Sequence, residues 1–279
     1  YNLVHAVNAI VLSGGSSYGL ASADGVAAWL GAREIGYGGM RRPGVPVSPI
    51  VPAAILYDLA NGGAKDWGTE PPYRALGMKA VAAAGKDFAL GTAGAGYGAS
   101  SGGLKGGLGS ASTVTSDGIT VGAIVAVNSM GSTVAPGTRH FWASPYEIGS
   151  EFGGLPPMAL RAGPEEWGYA KAAANARQNT TIACVATDLD LTADEMKRVA
   201  IMAQDGLSRA IRPVHTPYDG DVVFAVATGK KQPPEPRQIA VLKTGTVAAD
   251  TLARAIARGV YAATVPPGAT GVTTWRDLR

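Results

Sequence analysis

An α/β fold is expected from three features of the chain. The second half alternates strand and helix patterns, reading strand–helix–turn–strand–helix. Ahead of it, Ser110 to Thr115 and Ile119 to Asn128 flank Ser116-Asp117-Gly118, a hairpin closed by an Asp-Gly turn. Finally, 46% of the 279 residues are hydrophobic and only 16% charged, enough core for one large domain or two small ones.

Taken in order, Val4 to Leu12 is an apolar strand candidate broken by His5 and Asn8. It runs into Ser13-Gly14-Gly15-Ser16-Ser17-Tyr18-Gly19, then a helix from about Leu20 to Leu30, with Val26, Ala27 and Leu30 inward and Gly25 weakening it. Residues 36–49 form a loop rich in Gly, Pro and Arg, and Ile50 to Leu59 is a strand with Pro52 near its start. Arg74 to Ala84 fits a helix with Leu76, Ala80 and Ala83 on one face. Residues 91–109 are mostly Gly, Ala and Ser, a composition that lets backbone approach backbone or ligand. Residues 136–170 lack periodicity; a loop of that length is usually functional or disordered.

The uncharged run Thr180 to Thr187 reads as a buried strand. Thr192-Ala193-Asp194-Glu195 is a capping box, and Met196, Val199, Ala200, Ala203, Leu207 and Ala210 follow at helical spacing. Arg209 and Arg212 close that helix and Pro213 stops it. His215 to Asp221 is a turn, Val222 to Ala227 a strand, and Ala248 to Ala262 a helix with Leu252, Ala255, Ile256 and Val260 inward. No internal repeat is visible.

Several function classes fall away. The net charge is +3 and the basic residues are scattered, so Arg41-Arg42 and Lys230-Lys231 read as solvated loop charges rather than a nucleic-acid patch. The single cysteine, Cys184, cannot form an internal disulfide, and His5, His140 and His215 lack zinc-type spacing, so neither metal nor cofactor is expected. No apolar run reaches about 18 residues, so no membrane span is expected. No leader is visible in a chain that opens at Tyr1, and a cytoplasmic location is the expectation.

Four constellations could carry chemistry. Thr180, opening a strand just after Asn179, fits a nucleophile exposed by cutting the bond before it. Its freed α-amine, with a pKa of roughly 7.7–8.0, would serve as base for its own Oγ. The simpler reading is a buried strand with threonine at its edge. Gly15-Ser16-Ser17-Tyr18-Gly19 matches the nucleophile elbow of α/β-hydrolases, with Ser17 as nucleophile, but only one strand precedes it, which argues against that role; a tight glycine turn capping a helix is the simpler reading. Asp219-Gly220-Asp221 can aim two carboxylates at one site or be an ordinary turn; it carries weight if strand 222–227 lies beside strand 180–187. Asn128 ends a strand and can donate to an oxyanion or simply close a turn. His215 stands alone and reads as structural.

Read together, the chain resembles the P1 family of self-processing N-terminal-nucleophile hydrolases (peptidase family S58), which includes L-aminopeptidase/D-amidase-esterases, β-peptidyl aminopeptidases and nylon-oligomer endohydrolases. The resemblance spans nearly the whole chain. It rests on residues 14–20, Arg74-Ala75-Leu76-Gly77, Gly94-Ala95-Gly96, Asn179-Thr180-Thr181-Ile182 and residues 215–221. It is greatest to the nylon-oligomer branch, where Asn-Thr and Asp-Gly-Asp stand in these places.

The resemblance implies Thr180 as nucleophile, Asn179–Thr180 as the self-cleaved bond, and Asp219 and Asp221 as the acidic pair. Asn128 would be the oxyanion donor, and Tyr18 would line the pocket. Arg74 falls where that branch has lysine and cannot shuttle a proton; its part would be substrate contact or support. The implied fold is a four-layer αββα sandwich, a single domain over 1–279 that is cut into 1–179 and 180–279. The implied substrates are short peptides, amides or 6-aminohexanoate (nylon) oligomers, and the implied assembly is a homo-oligomer, a tetramer being the expectation. Members carry further N-terminal strands ahead of the position where this chain starts. An uncut, inactive ligand-binding homologue is the alternative outside enzymology.

Overall fold

The computed structural model describes residues 4–38, 43–171 and 179–279. Arg41 and Arg42 lie outside the described residues, as does most of the segment leading into Asn179. Mixed α/β architecture is observed. The first part contains β1 (Val11–Ser13), α1 (Ala21–Gly31), β2 (Ala53–Ile55) and α2 (Tyr73–Ala82). A small ladder of β3 (Ser100–Ser101) and β4 (Leu104–Lys105) leads into the hairpin β5 (Gly107–Val114) and β6 (Thr120–Val127). Then come β7 (Ile182–Leu189), α3 (Ala193–Ala203), α4 (Asp205–Ala210), β8 (Val222–Lys231) and α5 (Arg237–Tyr261). Among the described residues no helix is long and apolar enough to cross a membrane.

The main sheet has the order β5-β6-β7-β8, antiparallel except for the parallel pair β7–β8. Side chains alternate across it, as strand geometry requires. Val121, Val125, Ala183 and Val185 face α5, which contributes Leu252, Ile256 and Val260, all buried, while α3 and α4 pack on α5. Ala126 and Ile182 point the other way, onto Ala54, Leu56 and Leu12 around β1 and β2. Those two strands form a separate parallel pair, in the register Val11↔Ala53 to Ser13↔Ile55.

The Asp-Gly hairpin, the Thr192 capping box and the β7–β8 pairing agree with the sequence reading. Other elements depart from it. The strand expected over Val4 to Leu12 is only β1, because the Asn8 side chain takes the Ile50 N–H in place of a ladder bond. Likewise only three residues of Ile50 to Leu59 pair as β2. Leu76, Ala80 and Ala83 are exposed. The helix pair α1–α2 meets instead through Gly25 and Gly77, where a Cβ would run into the backbone of Arg74 and Ser22 respectively. The helix expected through Ala210 breaks at Gln204 into α3 and α4. The last helix starts eleven residues early, at Arg237 rather than Ala248, because its first inward positions include Thr244 and Gly245, which carry no apolar signal.

Candidate active site

The sheet topology brings three chain segments to one edge. β7 and β8 run parallel and begin side by side, Ile182 opposite Val222, and a bridge pairs Asn179 with Asp219 just before them. β6 runs antiparallel to β7, so its last residues finish at that same edge, and Thr180 N–H donates to the Asn128 carbonyl at 2.7 Å. Asn128, Thr180 and Asp219-Gly220-Asp221 therefore converge, as the parallel pairing requires.

The Asn179–Thr180 peptide is the centre of this arrangement. Thr180 Oγ1 donates to the Asn179 carbonyl oxygen at 2.5 Å. Gly220 N–H donates to the same oxygen at 3.1 Å. A Cβ on Gly220 would lie 3.1 Å from Thr180 Oγ1, so glycine leaves the hydroxyl its room. Two donors thus polarise one carbonyl whose neighbouring hydroxyl is the candidate nucleophile.

The carboxylates frame the site. Asp221, its side chain 4% exposed, accepts from Thr181 N–H through Oδ1 and from His215 Nδ1 through Oδ2, both at 2.8 Å. Burial raises its pKa, the Thr181 N–H opposes that, and the charge of Asp219 adds to the rise. Asp219 accepts from Met130 N–H at 3.1 Å and from Thr216 N–H and Oγ1 at 3.0 and 2.6 Å. In the uncut chain these bonds hold the frame around Thr180. Asn128 is 2% exposed; its Oδ1 accepts from Ser100 N–H and its Nδ2 donates to the Tyr57 carbonyl, both at 2.9 Å.

Two lysines join the site that sequence reasoning missed. Lys105 Nζ donates to the carbonyls of Gly96, Ala99 and Gly106 at 2.8 Å each, and burial lowers its pKa to about 8 against the pull of Asp58. Its signal was available: it is the one charge between Asp87 and Asp117. Lys171 Nζ donates to Asn179 Oδ1 at 2.6 Å, and burial lowers its pKa to about 8 as well. It lies in an aperiodic loop and had no signal. His215, set aside as structural, is the partner of Asp221.

Both lysines line a cleft of about 810 Å³ together with Asn128, Tyr57, Asp58 and Tyr97. Tyr18 is not brought to Thr180 by any described contact; it is 51% exposed, with its ring edge-on to Trp67. Arg74 is exposed and paired with Asp24 at 2.6 Å. Ser17 is exposed on a 3-10 turn, and the strained backbone there falls on Ser16 (φ 52°), not on the candidate nucleophile. Among the described residues no cluster of three or more His, Cys, Asp or Glu side chains is placed to hold a metal.

Comparison with solved structures bears on the fold. The fold resembles that of an L-aminopeptidase D-Ala-esterase/amidase from Ochrobactrum anthropi, described as a variant of the Ntn hydrolase fold. The TM-score is 0.60 at 21% identity, over 92% of this chain and 67% of that one. A Burkholderia sp. β-aminopeptidase gives 0.58 at 23% identity, over 92% and 70%. The chain belongs to Peptidase family S58, whose model matches residues 1–274. Its relatives include an uncharacterised aminopeptidase of Mycobacterium tuberculosis H37Rv, 43% identical over 99% of this chain and 80% of that protein. A 6-aminohexanoate-oligomer endohydrolase of Agromyces sp. KY5R is 29% identical over 79% of this chain and 60% of its own length. Family and relatives place the chain among peptidases and amidohydrolases.

Proposed function

We propose that the chain is a self-processing N-terminal-nucleophile amide hydrolase in which Thr180 cuts the Asn179–Thr180 bond and then acts on short peptides, amides or amide oligomers. One observation carries this reading: Thr180 Oγ1 and Gly220 N–H both hydrogen-bond the carbonyl oxygen that such a cut requires.

In the first act, Oγ attacks the Asn179 carbonyl carbon while Gly220 N–H holds the developing oxyanion. The C–N bond breaks as the Thr180 nitrogen takes the hydroxyl's proton, leaving an ester between Asn179 and Oγ. Water hydrolyses that ester, giving an Asn179 carboxylate and a free Thr180 α-amine. In the second act, that amine takes the Oγ proton as Oγ attacks a substrate amide and hands it to the leaving nitrogen as the C–N bond breaks; the product amine departs and water hydrolyses the acyl-enzyme. Asn128 steadies the substrate oxyanion. The paired carboxylates supply negative charge beside the new amine, which stabilises the ammonium that forms as it takes the Oγ proton.

By this reading residues 1–179 and 180–279 stay together as one domain, part of a four-layer αββα sandwich, and copies associate as a homo-oligomer, a tetramer. The cleft beside Asn128 receives the substrate. Its walls combine the tyrosines with two lysines of lowered pKa, a surface suited to a small polar amide.

The test is turnover of amino-acyl anilides and 6-aminohexanoate oligomers by wild type, Thr180→Ala and Ser17→Ala. Activity in wild type and Ser17→Ala, with none in Thr180→Ala, is expected. Loss in Ser17→Ala alone would make the chain a serine hydrolase. Processed protein that binds but never turns over any amide would return it to the ligand-binding class.

A further inference from the structure

The mechanism makes no use of Lys171, whose side chain is half-buried beside the scissile peptide. Resting on the reading above, we infer that Lys171 is a positioning residue for self-cleavage: its ammonium grips the Asn179 side chain and so holds the scissile carbonyl against Thr180 Oγ1 and Gly220 N–H.

The grip is direct, and its base is hydrogen-bonded to the site. Lys171 Nζ donates to Asn179 Oδ1 at 2.6 Å and to the Ser100 carbonyl at 3.3 Å. Its own N–H donates to the Met130 carbonyl at 3.0 Å, and the Met130 N–H in turn donates to Asp219 Oδ1 at 3.1 Å. Ser100, which takes the second Nζ bond, gives its N–H to Asn128 Oδ1. Lys171 is therefore tied to the segments that carry Asn128 and Asp219, and through Asn179 to the bond to be cut.

The electrostatics argue against a space-filling role. The two oxygens that Nζ reaches belong to an amide and a carbonyl, both uncharged. An ammonium taken out of water onto neutral acceptors costs stability that an aliphatic side chain would not. Burial lowers the Lys171 pKa to about 8, with Asp219 opposing. A desolvated ammonium bonded to the residue at the proposed cut site points to function rather than packing.

The geometry also explains why asparagine precedes Thr180. Its acceptor stands one carbon beyond Cβ, within reach of Nζ while the residue stays 3% exposed and bridged to Asp219. Without the grip the Asn179 peptide keeps its carbonyl bonds and the Thr180 N–H bond to Asn128, but the Asn179 side chain no longer anchors it from the other side, and the carbonyl carbon can shift relative to the hydroxyl. Attack needs the reacting atoms held in a narrow range of distance and angle.

The experiment is a cell-free synthesis pulse followed by intact-mass timing of cleavage. It compares wild type, Lys171→Met, Asn179→Ala, the double variant, and the pair Asn179→Asp and Asn179→Leu. Removing a hydrogen bond to a charged group slows cleavage by about 10- to 100-fold in each single variant. The double variant is no slower than the slower single one, because both remove the same contact. Asn179→Asp, which keeps an acceptor, cleaves faster than Asn179→Leu.

Lys171→Met at the wild-type rate, or single effects that multiply in the double variant, overturns the inference while leaving Thr180 as nucleophile. If Lys171→Met fails to fold, the Asp/Leu pair at Asn179 decides: equal rates overturn it. A wild-type chain that stays uncut overturns the proposed function itself, and this inference with it.

Discussion

Gly220→Ala separates catalysis from folding at the candidate site. Gly220 is not among the residues with positive φ, so alanine fits its backbone. The added Cβ would lie 3.1 Å from Thr180 Oγ1 and 3.7 Å from its Cγ2, where ordinary contact begins at 3.4 Å. The hydroxyl must yield by a few tenths of an ångström, by turning about χ1. A turn of about 30° off its rotamer costs roughly 0.5–1.5 kcal/mol, which is about 2- to 13-fold in rate at about 1.36 kcal/mol per tenfold. Stability should not fall with it, because Gly→Ala restricts the unfolded chain by about 0.4–1 kcal/mol in favour of folding. The assay pairs intact-mass timing of cleavage with thermal unfolding. Slower cleavage at an unchanged or higher Tm is expected. A wild-type cleavage rate would refute the claim that Gly220 keeps room for the nucleophile.

Further predictions concern stability, measured in uncut Thr180→Ala so that one species melts. Lys105 and Lys171 titrate near pH 8 when folded and near 10.5 when unfolded, so above pH 8 the unfolded chain binds more protons and stability rises with pH. The rise, about 1 kcal/mol per lysine between pH 8 and 9, flattens by half in Lys105→Met; a flat profile in the parent contradicts it. Above pH 9 the trend weakens, because the buried Cys184 thiol holds its proton to about 11 against 9.0. Arg254 ties Glu151 to the Ser112 carbonyl and Thr113 under α5, with Nε 2.6 Å from Glu151 Oε1. Arg254→Met removes the two close bonds to that carboxylate and leaves it Arg258 at 3.7 Å and the Ile148 N–H at 3.3 Å, and should cost about 2 kcal/mol; denaturant unfolding checks it, and a loss below about 1 kcal/mol would contradict it.

The sequence made the second half of the fold legible because its signals are local. The Thr192 capping box, the Asp117-Gly118 turn and the β7 and β8 runs each declare themselves within a few residues. Their pairing then gathers Asn128, Thr180, Asp219 and Asp221, so most of the candidate site followed from strand order. What escaped was set by packing between distant segments. The α1–α2 contact runs through Gly25 and Gly77, which periodicity scores as nothing. Lys171 gains meaning only when a loop folds back on Met130 and Asn179. His215 becomes a site residue only through its bond to Asp221. Tyr18 and Arg74, carried by resemblance, take their described contacts with Trp67 and Asp24.

The most direct test of Thr180 as a self-exposed nucleophile is the intact mass of freshly purified protein under denaturing conditions, beside Thr180→Ala. Two fragments meeting at Asn179/Thr180 in the wild type, and one uncut chain in the variant, are predicted. A single chain in both, or the same cut in both, would contradict the account.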